Sequence, residues 1–330
     1  GSAAWEGDTA GYSPPHESVD RLAAVRAFNH PRNGGGGLLQ SCGVPQLCGL
    51  LLLISMFVPG LTAAADPGVP RNVVSLNLCT DELLLLLADG EQIASLTWLV
   101  KDPTLSWYAS SARRYPSNRG LAEEILPLRP DLVLAGEFTT PTTIALLRKL
   151  RVPLLQLSMP KTLAEVEQHI TRVAQALGHS TRGEQVISDM HARLAALPPL
   201  PPGKAALTAA LFQPNGLTAT QDTLVHAALR HAGLRNLAVV RDMSNYARLP
   251  LETLLYDQPD LLVLNDYEER MPSLAQSLMR HPVLRKSFRA NRRVVVPAQA
   301  WSCGTPYYVQ AVEILRRASI DLLQSNVQAG

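Results

Sequence analysis

Aromatic residues are scarce, 5% of 330, and the chain lacks an excess of either charge: 30 Lys and Arg stand against 28 Asp and Glu, a formal net charge of +2. Without a basic surplus there is no whole-chain electrostatic attraction to nucleic acid. Four cysteines in so long a chain exclude a disulfide-built scaffold. Beyond residue 65 there is no GxxxxGK[ST], GxSxG, GxGxxG or HExxH, which removes the commonest nucleotide, hydrolase and zinc-protease signatures. What the chain does have is apolar residues, 46% against 18% charged. That suffices for a large packed core, and the length suits one large domain or two lobes.

Residues 1–65 stand apart. Gly1-Ser2 reads as a tag remnant, and residues 3–46, with GGGG at 34–37 and no sustained periodicity, read as a disordered leader. The uncharged run from Leu47 to Leu61 is short of the ~20 residues a bilayer span needs. Arg21, Arg26 and Arg32 precede it and Ala63-Ala64-Ala65 follow, so it reads as a secretory signal peptide cleaved near Ala65. An uncleaved membrane anchor is the alternative. Cleavage leaves 27 basic against 24 acidic residues, and Cys79 and Cys303 as the only cysteines. Export also argues against cytosolic nucleotide cofactors.

The exported part alternates strand and helix. VVSLNL (73–78) reads as a buried strand, Thr80 as the cap of a helix that Gly90 stops, and IASLTW (93–98) as the next strand. A short helix at 121–126, a strand at 132–135, a helix at 142–150 and a strand at 153–158 follow. The rhythm then changes. Thr162 and Glu165 form a capping box, and Leu163, Val166, Ile170, Val173 and Leu177 make one apolar stripe. Gly178 interrupts, Thr181 and Glu184 repeat the box, and 162–195 together reads as one long helix, which Pro198–Gly203 ends as a stiff linker. Alternation resumes with strands at 206–212, 261–264 and 293–297, a helix at 223–232 and a last helix from Pro306. The expected organisation is a first lobe at 66–160, a bridging helix at 161–197 and a second lobe at 198–330. Both lobes are α/β with Rossmann-like parallel sheets.

An internal echo supports two equivalent lobes. In the segment 123–134 and again in 252–263, a Glu sits seven residues before a Pro-Asp-Leu that opens a strand.

From Arg71 to Ser325 the chain resembles the class III substrate-binding proteins of ABC importers for cobalamin, ferric siderophores and haem. The matching pieces are VVSLNLCTDELLLLLA, AEEILPLRPDLVLA, the 162–195 helix, LETLLYDQPDLLVL and RVVVPAQAWSCGTPYYVQAVEIL. The resemblance implies two lobes bridged by one helix, a ligand cleft between them and little hinge motion. It implies a monomeric periplasmic carrier that performs no chemistry, has no cofactor of its own and holds cobalt or iron only inside its ligand. It also implies that Glu123 and Glu252, one per lobe, dock on arginines of a membrane permease dimer. Their alternative role is to stabilise the helix dipole.

Ligands of open parallel sheets bind beyond the carboxyl ends of the strands. The loops there hold Asn77, Cys79 and Thr80; Trp98; Glu137 and Phe138; Phe212, Gln213 and Asn215; Asp266 and Tyr267; and Trp301, Ser302 and Cys303. Tyr246 matches a position where the family often places an aromatic. Trp98, Trp301 and Tyr246 suit the walls of a flat chelate but can equally pack a lobe, and Phe212 reads as core. Cys79 and Cys303 face each other across the cleft, where three roles are open. They can ligate a soft metal or cofactor iron, form a disulfide, or merely line the cleft; an open cleft seldom keeps Cα atoms within the ~7 Å a disulfide needs. His169, His179, His191, His226, His231 and His281 fall on helices away from these loops and read as solvated. The competing function is an exported metal-dependent or hydrolytic enzyme on the same two-lobed fold. No nucleophile elbow and no Asp/His pair on strand-end loops supports it.

Overall fold

The structure, a computed structural model, describes residues 68–203, 205–244, 247–265, 279 and 281–328. They belong to one compact unit, Ala63–Gly330. The second unit, Gly1–Thr62, and with it the expected leader and signal peptide, lies outside the described residues.

In the first lobe, strands β1 (Val73–Ser75), β2 (Ile93–Thr97), β3 (Ser117–Asn118), β4 (Leu132–Gly136) and β5 (Leu154–Leu157) form a parallel sheet in the order β3-β2-β1-β4-β5. Helices α1 (Leu78–Leu87), α2 (Ala109–Ala112), α3 (Ala122–Ile125) and α4 (Pro141–Lys149) connect them. The cap of α1 is Asn77 rather than Thr80. Its side chain accepts the Cys79 N–H at 2.9 Å, which ends the expected strand early and places Thr80 inside the helix.

The expected single helix over 162–195 is two helices, α5 (Leu163–Ala176) and α6 (Ser180–Ala195). Gly178, at φ +78°, breaks them. Its N–H donates to the Gln175 carbonyl at 3.1 Å, and the His179 N–H to the Ala174 carbonyl at 2.8 Å, the paired bonds of a Schellman stop. A Cβ on Gly178 would lie 2.7 Å from a Val69 methyl, so glycine is required there twice over. The helices fold back on each other: Gly183 lies against Ala174, and His191 Nε2 is 2.9 Å from Glu167 Oε1. Only α6 therefore leads into the second lobe.

There β6 (Thr208–Leu211), β8 (Arg235–Asn236), β10 (Leu261–Asn265) and β11 (Arg293–Val296) form a parallel sheet in the order β11-β10-β6-β8. Strands β7 (Leu217–Thr218) and β9 (Ala247–Arg248) make an antiparallel ribbon. Helices α7 (Leu224–His231), α8 (Leu237–Val240), α9 (Leu251–Asp257), α10 (Pro282–Ser287) and α11 (Tyr308–Gln328) complete the lobe.

Strand residues alternate between two buried faces, as parallel sheets with helices on both sides require. In the first lobe Val73, Leu132 and Leu134 join the main core, while Val74, Leu76 and Val133 join an outer one with Ile125 and Leu147. In the second, Ala209, Leu211, Leu261 and Val263 face the main core, and Ala210, Phe212 and Leu262 the outer one. The main core is continuous through both lobes and through α5 and α11. Each fully buried Leu or Val in it contributes about 1.5–3 kcal/mol.

The echoed Pro-Asp has a physical role. Asp131 accepts the backbone N–H groups of Arg71 and Asn72 at 2.8 and 2.9 Å, fixing the entry to β1. Asp260 accepts the Thr208 N–H at 2.8 Å, fixing the entry to β6. Arg129 and Gln258, just before each Pro-Asp, take left-handed conformations at φ 50° and 43°.

Candidate functional site

The carboxyl ends of both sheets open on a cavity of about 490 Å³ between the lobes. The first lobe supplies Glu137 and Phe138 after β4, and Met159, Pro160 and Lys161 after β5. From the second come Gln213 after β6, Asn265 at the end of β10, Trp301 and Ser302 after β11, and Asp222 with the start of α7. Phe138 is 74% exposed, an unpacked ring at the cavity, whereas Trp301 is only 5% exposed. The Glu137 carboxylate accepts the Met159 N–H at 2.9 Å and so couples the two first-lobe loops. Two buried polar atoms on the cavity-lining residues, Trp301 Nε1 and Asn265 Oδ1, have no partner among the described residues. Both atoms are shielded from solvent.

A smaller cavity of about 40 Å³ shares Glu137, Phe138, Met159 and Pro160 with the first. Asn77, Cys79, Thr80 and His169 line it. His169 is 4% exposed, and burial, reinforced by nearby Arg172 and opposed by Glu165, holds its pKa below the ordinary imidazole value. A neutral ring thus faces this recess.

Cys79 and Cys303 are joined in a disulfide with Cα atoms 5.0 Å apart. Of the three roles open to them this is the disulfide; it corrects the metal-ligand reading, since both sulfurs are consumed, and the reading as mere cleft lining. The lobes meet at the cleft floor instead of standing open. Gln299 Nε2 donates to the carbonyls of Pro103 and Thr104 at 3.2 and 2.9 Å, and Tyr307 packs edge-on against Trp107 and Tyr108 at 4.3 and 5.5 Å. At the hinge, Arg193 on α6 pairs with Glu313 on α11 through bonds of 3.1 and 2.8 Å.

Two acids sit behind the disulfide on α1. Burial raises the Asp81 carboxyl to about 7, against hydrogen bonds from Thr97 and Ser75 that lower it. Burial likewise raises Glu82 to about 8, opposed by the Ser106 hydroxyl, which donates to Oε1 at 2.5 Å. Among the described residues no group of three or more His, Cys, Asp and Glu could hold a metal ion.

Of the residues expected at the cleft, Glu137, Gln213, Trp301 and Ser302 line the large cavity, and Asn77, Cys79 and Thr80 the small one. Trp98 lines neither; it is 54% exposed at the end of β2. Phe212 is core, and Asn215 turns the chain at φ 61°. Tyr246, Asp266 and Tyr267 lie outside the described residues. Glu123 and Glu252 are exposed in the first turns of α3 and α9. Met159, Lys161, Asn265 and His169 were missed. The first three follow or end predicted strands, and His169 extends the apolar stripe of α5 from Val166, so the signals were present.

The sequence matches the profile of the periplasmic binding protein family over residues 73–300. It is 25% identical over 225 residues to a cobalamin-binding protein of Halobacterium salinarum, covering 66% of this chain and 60% of that one. The chain thus spans 60% of the length of that curated relative. The fold is similar to the periplasmic haem-binding protein RhuT of Roseiflexus sp. RS-1 in apo form. The TM-score is 0.63 at 25% identity, over 76% of this chain and 98% of that one. The periplasmic haem-binding protein BhuT with two haems gives 0.60 at 25% identity, over 78% and 100%.

Proposed function

Because the chain belongs to the periplasmic binding protein family, we propose that it captures a metal chelate of the cobalamin, ferric-siderophore or haem class and delivers it to an ABC permease. The observation that carries this reading is the inter-lobe cavity of about 490 Å³, lined from both lobes by Glu137, Phe138 and Lys161 and by Gln213, Asn265 and Trp301. Its volume falls in the ordinary range of small-molecule sites, ~300–1,000 Å³. Phe138, 74% exposed, supplies flat apolar surface for a macrocycle or catecholate. The metal belongs to the ligand, and the chain is a carrier; the exported-enzyme alternative is set aside with the family assignment.

Glu123 and Glu252 are the docking groups in this reading. One exposed carboxylate per lobe suits a two-fold permease bearing arginines, because charge-assisted pairs give register as well as affinity. A monomer delivered across a membrane by a signal peptide cleaved near Ala65 completes it. No helix among the described residues is long and apolar enough to cross a membrane.

The test is an absorbance titration of the purified chain with haemin, cyanocobalamin and ferric hydroxamate or catecholate chelates. Saturable one-to-one binding of one class is the expected result. Failure of every class to bind would remove the reading.

A further inference from the structure

We propose that the Cys79–Cys303 disulfide is a thiol-exchange site, at which a dithiol reductant unlocks the two lobes from each other. The inference rests on the proposed cleft only for its consequence, since the lock itself follows from the covalent layout.

The chain passes between the lobes once, through α6 and the linker that follows. The disulfide joins residues 224 apart and is therefore a second covalent tether, placed at the cleft floor away from the hinge. With both tethers in place the lobes cannot part about α6. With the disulfide open, what joins the lobes there is non-covalent: the two Gln299 bonds, the Tyr307 ring contacts, Gly304 against Pro160 and Val166, and the apolar core that runs through both lobes.

The two sulfurs differ in access. Cys79 is half-buried and lines the small cavity, which shares Glu137, Phe138, Met159 and Pro160 with the large one, whereas Cys303 is 2% exposed. A thiolate entering from the cleft therefore meets Cys79. Cys79 also lies in the first turn of the ten-residue α1, where a thiolate is stabilised by the helix N-terminus, and stabilising the thiolate favours the reduced form. One turn further along, Glu82 is buried at the same seam with Oε2 unpartnered among the described residues. Parting the lobes would hydrate that acid, which favours the open state once the bond is broken.

One thiolate of the dithiol attacks Cys79 Sγ; the S–S bond breaks, and its electron pair leaves on Cys303 Sγ, which takes up a proton. The reductant's second thiolate then attacks its own sulfur in the mixed disulfide and expels Cys79 as a thiolate, which is protonated in turn. Two electrons and two protons pass to the protein, and the dithiol becomes a cyclic disulfide.

The full-length folded chain is treated with dithiothreitol, alkylated with iodoacetamide and mapped by peptide mass, with small-angle scattering on parallel samples. Labelling of both Cys79 and Cys303 without unfolding is expected, together with a larger radius of gyration. With the monothiol glutathione the adduct is expected on Cys79. A bond that resists dithiothreitol until the protein unfolds would overturn the proposal, and so would a reduced protein of unchanged radius or an adduct confined to Cys303. The Cys79→Ser, Cys303→Ser double variant should match the reduced protein in scattering; if it does not fold, the reduced native chain carries the same test. None of these readouts needs a ligand. Failure of every chelate to bind in either redox state would instead count against the carrier reading.

Discussion

The two lobes build the same unit from different side chains. In each, a short helix with an exposed Glu in its first turn leads to a left-handed residue, and Pro-Asp then fixes the start of a central strand. The carbonyls of that turn are satisfied differently. In the first lobe the Asn72 amide donates to Leu128 and Arg129; in the second the Arg292 guanidinium reaches Gln258, Pro259 and Asp260. The geometry has been kept while the donors that hold it have changed, so the shape of the turn is what matters. The lobes also divide the site unequally. The second lobe provides the buried Trp301 and Asn265, while the first provides the exposed Phe138 and the acids beneath the disulfide.

The largest expected effect probes the shared feature. Glu123→Ala with Glu252→Ala should abolish uptake in cells while the isolated protein still binds its chelate. Each single variant should lose part of the uptake and to a similar degree. Uptake at the wild-type rate in the double variant would leave the two glutamates as helix-dipole residues only.

The next sharpens the difference. Glu82, raised by burial to about 8, is held protonated in the folded state, against ~4.3 when unfolded. The folded protein therefore binds the extra proton. Its stability is full below pH ~4 and is lost as pH rises through about 8. Asp81 acts in the same direction up to about 7. Melting temperature should fall between pH 5 and 9, and Glu82→Gln should flatten that fall and raise the melting temperature at pH 8. Parallel curves for the two proteins would contradict the assignment.

Smaller effects are expected at the two strand entries. Asp131→Ala and Asp260→Ala each remove charge-assisted bonds to backbone N–H groups, so each should cost about 1–3 kcal/mol in urea unfolding. Hydrogen exchange should quicken at Arg71 and Asn72 in the first variant and at Thr208 in the second. Quickened exchange spread evenly over both lobes would contradict the assignment of each Asp to its own strand entry.

Much of this architecture is written locally. Strand–helix alternation, the caps at Thr162 and Thr223 and the Pro-Asp turns depend on neighbours a few residues away, and the sequence shows them. The hairpin at Gly178 was less legible. Its two helices carry apolar stripes that read as one, and only the left-handed glycine, set against Val69, turns the chain back. The disulfide was invisible for a different reason. Whether Cys79 and Cys303 meet depends on how closely the lobes approach, which Gln299, Trp107 and Tyr307 decide at long range. Trp98 and Trp301 looked equivalent as residues after strands. Trp98 opens a short turn that leaves its ring in solvent, whereas Trp301 is packed into the core with only its Nε1 edge unpaired.

That last contrast gives the most direct measurement of whether the inter-lobe cavity is the binding site. The dissociation constant of whichever chelate binds is measured for the wild type, Trp301→Ala, Asn265→Ala and Trp98→Ala. Loss of Trp301 from the cavity lining should weaken binding by about 1–3 kcal/mol, roughly five- to 150-fold. Asn265→Ala should weaken it in the same sense, and Trp98→Ala should stay within about 0.5 kcal/mol of wild type. Equal constants across all four proteins would place the ligand elsewhere and contradict the account.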